Sequence, residues 1–235
     1  SNEVPVENLQ TTITVSQDDA SLVIASSDAE LQNVTIESED AVITIDYSEL
    51  LDADQVSVSN ALTIQTPTVK MEMPSSLVIS SSTWNGIMKL PEITTINISE
   101  LDTSSEIFTS DVAIIIGSGT EELTFSKPVR LVFTGEGGNG DVGIGFFKRA
   151  NSSEIELINI ECTEDDLGIV QAQLSSGQAC TFDDGTDFII WTTHATTFGH
   201  GHSSSSDSDD GGNGSGNVGV NIPGASIKGI SNAPG

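Results

Sequence analysis

The sequence predicts an all-β fold. Three observations carry that expectation. Short runs rich in Thr, Val and Ile alternate apolar and polar residues, they recur about every ten residues between turn formers, and helix signals are nearly absent. Residues 12–15 (Thr-Ile-Thr-Val), 22–24, 34–36 and 42–45 open the series, separated by Gln-Asp-Asp, Ser-Ser-Asp and Ser-Glu-Asp turns. Residues 56–58, 62–64, 77–79 and 93–98 continue it. Strands this short and this closely spaced fit a sandwich, a barrel or a solenoid. The rhythm is loose and carries no repeated motif, so a solenoid is not the expectation. Residues 47–54 and 165–174 each allow one helical turn, too little for an independent helix.

A second block begins near residue 101, with strands expected at 111–116, 121–125, 129–133, 142–148, 155–160, 179–182 and 187–193. The run Ala-Ile-Ile-Ile at 113–116 is apolar on both faces and reads as a central strand. Pro128 and the glycine-rich stretch 135–140 mark turns. At residue 199 the composition changes to Gly-His-Gly-His, four serines, Asp-Ser-Asp-Asp and Gly-Gly-Asn-Gly-Ser-Gly. The expected organisation is therefore two β-sandwich-like domains, 1–100 and 101–199. A flexible acidic Gly/Ser linker, 200–216, and a tail, 217–235, follow. In the tail Val218, Val220, Ile222, Ile227 and Ile230 fall in strand phase, which suits a strand donated to a partner; the alternative is an unstructured tail.

Charge excludes several functions. The chain has 235 residues, 35 Asp+Glu against 7 Lys+Arg, and a formal net charge of −28. Such a chain repels phosphate backbones and anionic lipid, so no nucleic-acid partner is expected. Hydrophobic residues make up 36% and charged residues 18%, which is not the composition of a disordered chain. No run approaches the ~20 apolar residues of a membrane span. The chain starts at Ser1 without Met, as a processed mature protein would. Asn-x-Ser/Thr acceptors at Asn33, Asn97, Asn151 and Asn213 fit a glycosylated surface protein. Cys162 and Cys180 lie 18 residues apart. A disulfide closing that loop stabilises by roughly 3 kcal/mol and is the expectation; the alternative is two reduced, buried thiols.

Catalytic machinery is thin. There are three histidines, 194, 200 and 202, no His-Glu-x-x-His or Cys-x-x-Cys motif, and no glycine loop between a strand and a helix. A conventional hydrolase or transferase is not expected. His200 and His202 with Asp207, Asp209 and Asp210 form a weak metal candidate, glycine-spaced in the linker. Its resemblance to a calcium loop lacks the position-5 ligand and the distal Glu. Non-specific Ca²⁺ or Mg²⁺ on the acidic surface is the expectation, with no specific cofactor. The clusters at 37–40 and 164–166 read equally as cation binders or as solvated turns.

One stretch carries a family resemblance. It comprises Lys-Pro-Val-Arg-Leu-Val-Phe (127–133), a glycine-rich turn, Gly-Ile-Gly-Phe-Phe (143–147), the two cysteines and Asp-Phe-Ile-Ile-Trp-Thr-Thr-His-Ala-Thr-Thr-Phe (187–198). Together these resemble the ZU5/GAIN-like β domains of archaeal and bacterial secreted surface proteins, over about a third of the chain. Some members of that family cut themselves. The resemblance implies His194 as base and Thr196 as nucleophile, with scission between Ala195 and Thr196. The family usually carries a bulky apolar residue where this chain has Ala195. The expectation is a core strand without cleavage, in which Trp191 and Phe198 pack inward.

These readings converge on an extracellular, cell-surface structural protein that forms a head-to-tail homopolymer by strand donation. The whole chain also resembles the all-β surface threads of archaea, which polymerise by donated strands. The linker's coil reach, on the order of 23 Å, suffices to bring 217–230 to a neighbour. Residues 6–16 are the rival donor. The alternatives are a monomeric adhesin or S-layer-associated module that binds other cells or surfaces, and a self-processing surface protein.

Overall fold

Alternation in the first strands decides how the chain winds. In the computed structural model, which describes residues 2–102, 106–118, 121–138 and 142–205, it winds as a coil. The chain passes from β1 (Asn2–Pro5) in a first sheet to β2 (Thr12–Val15) in a second, then back to β3 (Asp19–Val23). It crosses again to β4 (Asn33–Ile36) and returns to β5 (Val42–Asp46). Each pass turns every second residue inward, as the burial of β2 and β4 shows. A pass cannot bury its apolar face alone, so it stacks on the next circuit. Hence β1, β3 and β5 pair in parallel, as do β2, β4 and β7 (Leu62–Gln65).

The two sheets give the expected sandwich-like all-β fold, and within it these first circuits wind as a solenoid does. The register explains why no motif announced it. Ile13, Val34 and Ile64 stack in one interior row, and Val4, Leu22 and Ile45 in another. Any branched apolar side chain serves in such a row, so the repeat fixes polarity but not residue identity.

From β8 (Val69–Met73) onward the strands pair antiparallel, and the isolated Glu161–Thr181 bridge is parallel. The first sheet continues from β5 through β10 (Ile87–Thr94), β11 (Glu106–Gly117), β17 (Thr197–Ser205) and β13 (Val142–Lys148) to β14 (Ile155–Leu157). The second continues from β7 through β8, β12 (Leu123–Phe133) and β16 (Phe188–Ala195) to β15 (Ala179–Asp183). β6 (Gln55–Val58) pairs β9 (Leu77–Ser80), which joins the start of β12. Pro91 and Pro128 both sit where a ladder loses register, the place a sheet tolerates a residue without an N–H. The expected strands 121–125 and 129–133 are one strand, interrupted at that irregularity.

The boundary expected near residue 100 does not divide these sheets. β10 pairs both β5 and β11, and β12 pairs both β8 and β16. One hydrophobic core runs between the sheets from Val6 to Phe198. The Ala-Ile-Ile-Ile run lies in β11, central as expected, with Ala113 and Ile114 buried in different apolar clusters on opposite faces.

The outer face of the second sheet carries a smaller core. There α1 (Leu167–Gln173) lays Val170 against Val132, Ile189 and Trp191, beside the Cys162–Cys180 disulfide. The helix exceeds the single turn expected because Asp166 caps it, accepting from the Gly168 and Ile169 amides. Asp165 is tied down as well, receiving Arg130 Nε and Nη2 at 2.8 and 2.5 Å and Trp191 Nε1 at 2.8 Å. Arg130 Nη1 also reaches Glu72 at 2.7 Å. Two of the three carboxylates at 164–166 thus hold structure together rather than forming a solvated turn.

The expected linker is corrected at its start: residues 200–205 belong to β17, between β11 and β13. The glycines that suggested a linker are there because neighbours crowd them. A Cβ on Gly199 would lie 2.1 Å from Phe146 Cζ, and one on Gly201 would lie 2.2 Å from the Thr109 carbonyl oxygen. Only a residue without a side chain fits either place.

Candidate functional site

Three elements converge on His200. It is a buried residue of β17, 3% exposed, opposite Val112 on β11 and Gly145 on β13. Phe198 and His200 face the interior, while Gly199 lies under Phe146 on the other face. The imidazole packs 4.4 Å from the Phe188 ring and 6.5 Å from the Phe133 ring, centroid to centroid. Gly143 leaves room at Nε2, since a Cβ there would sit 3.3 Å from that nitrogen.

Asp111 reaches the site through a β-bulge. The β11–β17 register slips between Ser110, opposite Gly201, and Val112, opposite His200, which leaves Asp111 as the extra residue. Bulges re-aim a side chain, and here the carboxylate turns to the histidines. Asp111 Oδ2 lies 3.6 Å from His200 Nδ1 and 3.0 Å from His202 Nδ1.

Glu136 comes from the second sheet, in the turn after β12. That turn is held by Gly135 and Gly138 at positive φ and by bonds to the 183–187 loop. Gly135 N donates to Asp187 Oδ1 at 2.8 Å, Gly137 N to the Thr186 carbonyl at 2.9 Å, and Gly138 N to Asp183 Oδ2 at 3.2 Å. Glu136 Oε2 ends 3.7 Å from His200 Nδ1.

The charged forms of Glu136 and His200 are both disfavoured by burial in this cluster. Burial, then the charge of Asp111, push the Glu136 carboxyl above its ordinary range. Burial pulls the His200 imidazole below its ordinary value, against the attraction of Asp111. Both ring nitrogens of His200 are buried without a hydrogen-bond partner. Asp111, Glu136 and His200 offer ligand atoms that all lie within 4.8 Å of one another.

Of the metal candidates read from the sequence, His200 and His202 both lie on β17 beside Asp111, and Asp207, Asp209 and Asp210 lie outside the described residues. Asp111 and Glu136 were missed. One is a single carboxylate inside a strand run and the other a single carboxylate in a glycine-rich turn. Neither has a spacing that points to a histidine 89 or 64 positions away, so only the bulge and the fold join them.

The second candidate site lies at the corner where β16 of one sheet passes into β17 of the other. His194 and Ala195 are fully buried and Thr196 nearly so. The Thr196 hydroxyl donates to the Lys148 carbonyl. His194 Nδ1 lies 3.2 Å from Thr192 Oγ1, and its ring packs 5.3 Å from Phe147 and 5.2 Å from Phe198. Burial, with the Arg149 charge assisting and Glu122 opposing, lowers the His194 pKa to about 4. The hydroxyl proton of Thr196 is thus directed at a backbone oxygen, and the imidazole is engaged with Thr192. Trp191 packs on the outer face of the second sheet, against the α1 cluster, while Phe198 enters the main core. Thr196 also lines a cleft of about 240 Å³ beside Lys148 and Arg149.

Of the four glycosylation candidates, Asn33, Asn97 and Asn151 are exposed, and Asn213 lies outside the described residues. The cysteines form the expected disulfide. Val218, Val220, Ile222, Ile227 and Ile230 also lie outside the described residues. No helix among the described residues is long and apolar enough to cross a membrane. No family model matches the chain, and no curated protein matches it at a significant level.

Proposed function

We propose that this protein is a structural subunit of an extracellular, cell-surface filament, joined head to tail by strand pairing between copies. The observation that carries the reading is the open first circuit of the coil. β1 and β2 are the outermost strands of their sheets at that end, and among the described residues no strand pairs with their outer edges. A bare strand edge is a template for another strand. At the opposite end of the second sheet, β15 is covered. The amide of Cys162 donates to the Thr181 carbonyl, the amide of Thr181 donates to the Ile160 carbonyl, and the disulfide holds that segment in place.

β2 is the better acceptor. β1 ends in Pro5, which has no N–H to offer. The carbonyls of Thr11, just before β2, and of Val15, at its end, accept from the β4 side, so Thr12 and Thr14 present their backbone outward. The donor is the segment 217–230 of the preceding subunit, and residues 211–235 contain one lysine and no carboxylate in a chain of net charge −28. The disulfide suits an oxidising compartment. The resemblance to secreted surface domains supports the same setting.

Negative-stain microscopy of the full chain tests the proposal. Filaments are expected, lost both on truncation after residue 205 and in Thr14→Pro, with the monomer's stability retained. Filaments that survive truncation refute the C-terminal donor. A full-length protein that stays monomeric at every concentration refutes assembly and leaves a monomeric surface-binding module.

A further inference from the structure

We propose that Asp111, Glu136 and His200 form a binding site for one divalent transition-metal ion of the zinc class, which staples the two sheets together at the β11–β17 bulge. The His200 ring is the first reason. It is buried with neither nitrogen hydrogen-bonded, and Nδ1 is directed between two carboxylates. The second reason is distance. Nδ1 lies 3.6 Å from Asp111 Oδ2 and 3.7 Å from Glu136 Oε2. Those separations are too long for hydrogen bonds. They approach the edge of a tetrahedron around zinc, roughly 3.4 Å for ligands about 2.0–2.1 Å from the ion.

The donor set selects the ion class. One imidazole and two carboxylates suit Zn²⁺ and its neighbours. Ca²⁺ takes about six to eight oxygens, more than this site supplies. His202 Nδ1, 3.0 Å from the same Asp111 oxygen that faces His200, orients that carboxylate from outside. A fourth position remains for water. The ion would link β11 and β17 of the first sheet to the turn after β12 of the second, neutralising both carboxylates where burial and then the Asp111 charge disfavour ionisation of Glu136.

The test uses tag-free, full-length protein, stripped with chelator and held in excess Ca²⁺ so that the acidic surface is already screened. Calorimetric titration with Zn²⁺ is expected to show one equivalent bound and a higher Tm. Co²⁺ is expected to give the intense visible absorption of a tetrahedral site. Glu136→Gln and Asp111→Asn are each expected to weaken Zn²⁺ affinity at least about 100-fold, and His202→Gln about 10-fold. In metal-free buffer Glu136→Gln and Asp111→Asn are expected to melt no lower than the parent, because each removes one of two crowded charges. Their Tm falls below the parent's only when Zn²⁺ is present. That crossing would not arise from a merely structural carboxylate. The proposal is overturned if no saturable Zn²⁺ binding appears above the Ca²⁺ background, or if both carboxamide variants bind Zn²⁺ within twofold of the parent.

Discussion

Gly201→Ala separates the two readings of the histidine-containing segment. In a flexible linker this substitution changes stability by no more than about 0.5 kcal/mol. In β17 the new Cβ falls 2.2 Å from the Thr109 carbonyl oxygen, a backbone atom that no rotamer change can move. Restoring van der Waals contact requires β11 and β17 to part by about an ångström near the bulge. The ladder there joins Thr109 to His202 and Ser110 to Gly201. Stretching two backbone hydrogen bonds, at about 0.5–1.5 kcal/mol each, predicts a loss of about 1–3 kcal/mol. That matches the usual range for overpacking. In a chain of this size the loss lowers Tm by roughly 2–4 °C per kcal/mol. Urea unfolding followed by the fluorescence of buried Trp84 and Trp191 is the assay, with Ser203→Ala as the neutral control. A midpoint for Gly201→Ala equal to that of the parent refutes the strand and the crowding argument with it.

Other outcomes follow from the same contacts. Replacing Cys162 and Cys180 together by Ala is expected to cost about 3 kcal/mol, read as a lower urea midpoint equal to that of the reduced parent. Burial raises the Asp165 pKa, but the Arg130 and Trp191 hydrogen bonds prevail and hold it below the ordinary carboxylate value. Its stabilisation is therefore full at neutral pH and lost as pH falls through that lowered pKa. Asp165→Asn is expected to flatten the acid limb of a stability–pH curve. His194 behaves in the complementary window. With its folded pKa lowered to about 4, the unfolded chain takes up the proton first. Stability is then lost as pH falls from about 6.5 towards 4, by on the order of 2–3 kcal/mol. His194→Gln is expected to remove that slope in denaturant titrations across the window. Gly199→Ala, placed against the buried Phe146 ring, is expected to lower Tm by several degrees, and an unchanged Tm would contradict the packing described.

The all-β class was legible because period-2 alternation is a local signal. Residues 12–15 and 142–148 coincide with β2 and β13 for that reason. The parallel winding was not legible. A row such as Ile13, Val34 and Ile64 asks only for an apolar residue at each pass, which leaves no repeat to read. β17 was lost for the opposite reason. Its composition resembles a linker, while its glycines answer to Phe146 and Thr109, partners over 50 positions away. Half of the metal candidate could be read from the sequence, as His200 and His202. The other half depends on a one-residue bulge and on a turn in the other sheet, and neither leaves a spacing.

The position of β17 sets an order of events during synthesis. Strands β1 to β5 and β7 pair in parallel with neighbours one circuit away, so the coil can settle circuit by circuit as the chain emerges. The rest of the first sheet cannot. β13 meets β11 only through β17, which arrives about 50 residues after β13 and 80 after β11. Until then the β13–β14 hairpin has no strand between it and β11, and Phe146 and Phe147 lack the Gly199 and Phe198 that β17 brings opposite them. Among the described residues, a run of glycine, histidine and serine is thus the last piece inserted, and its arrival joins β11 to β13 and brings His200 to Asp111 and Glu136.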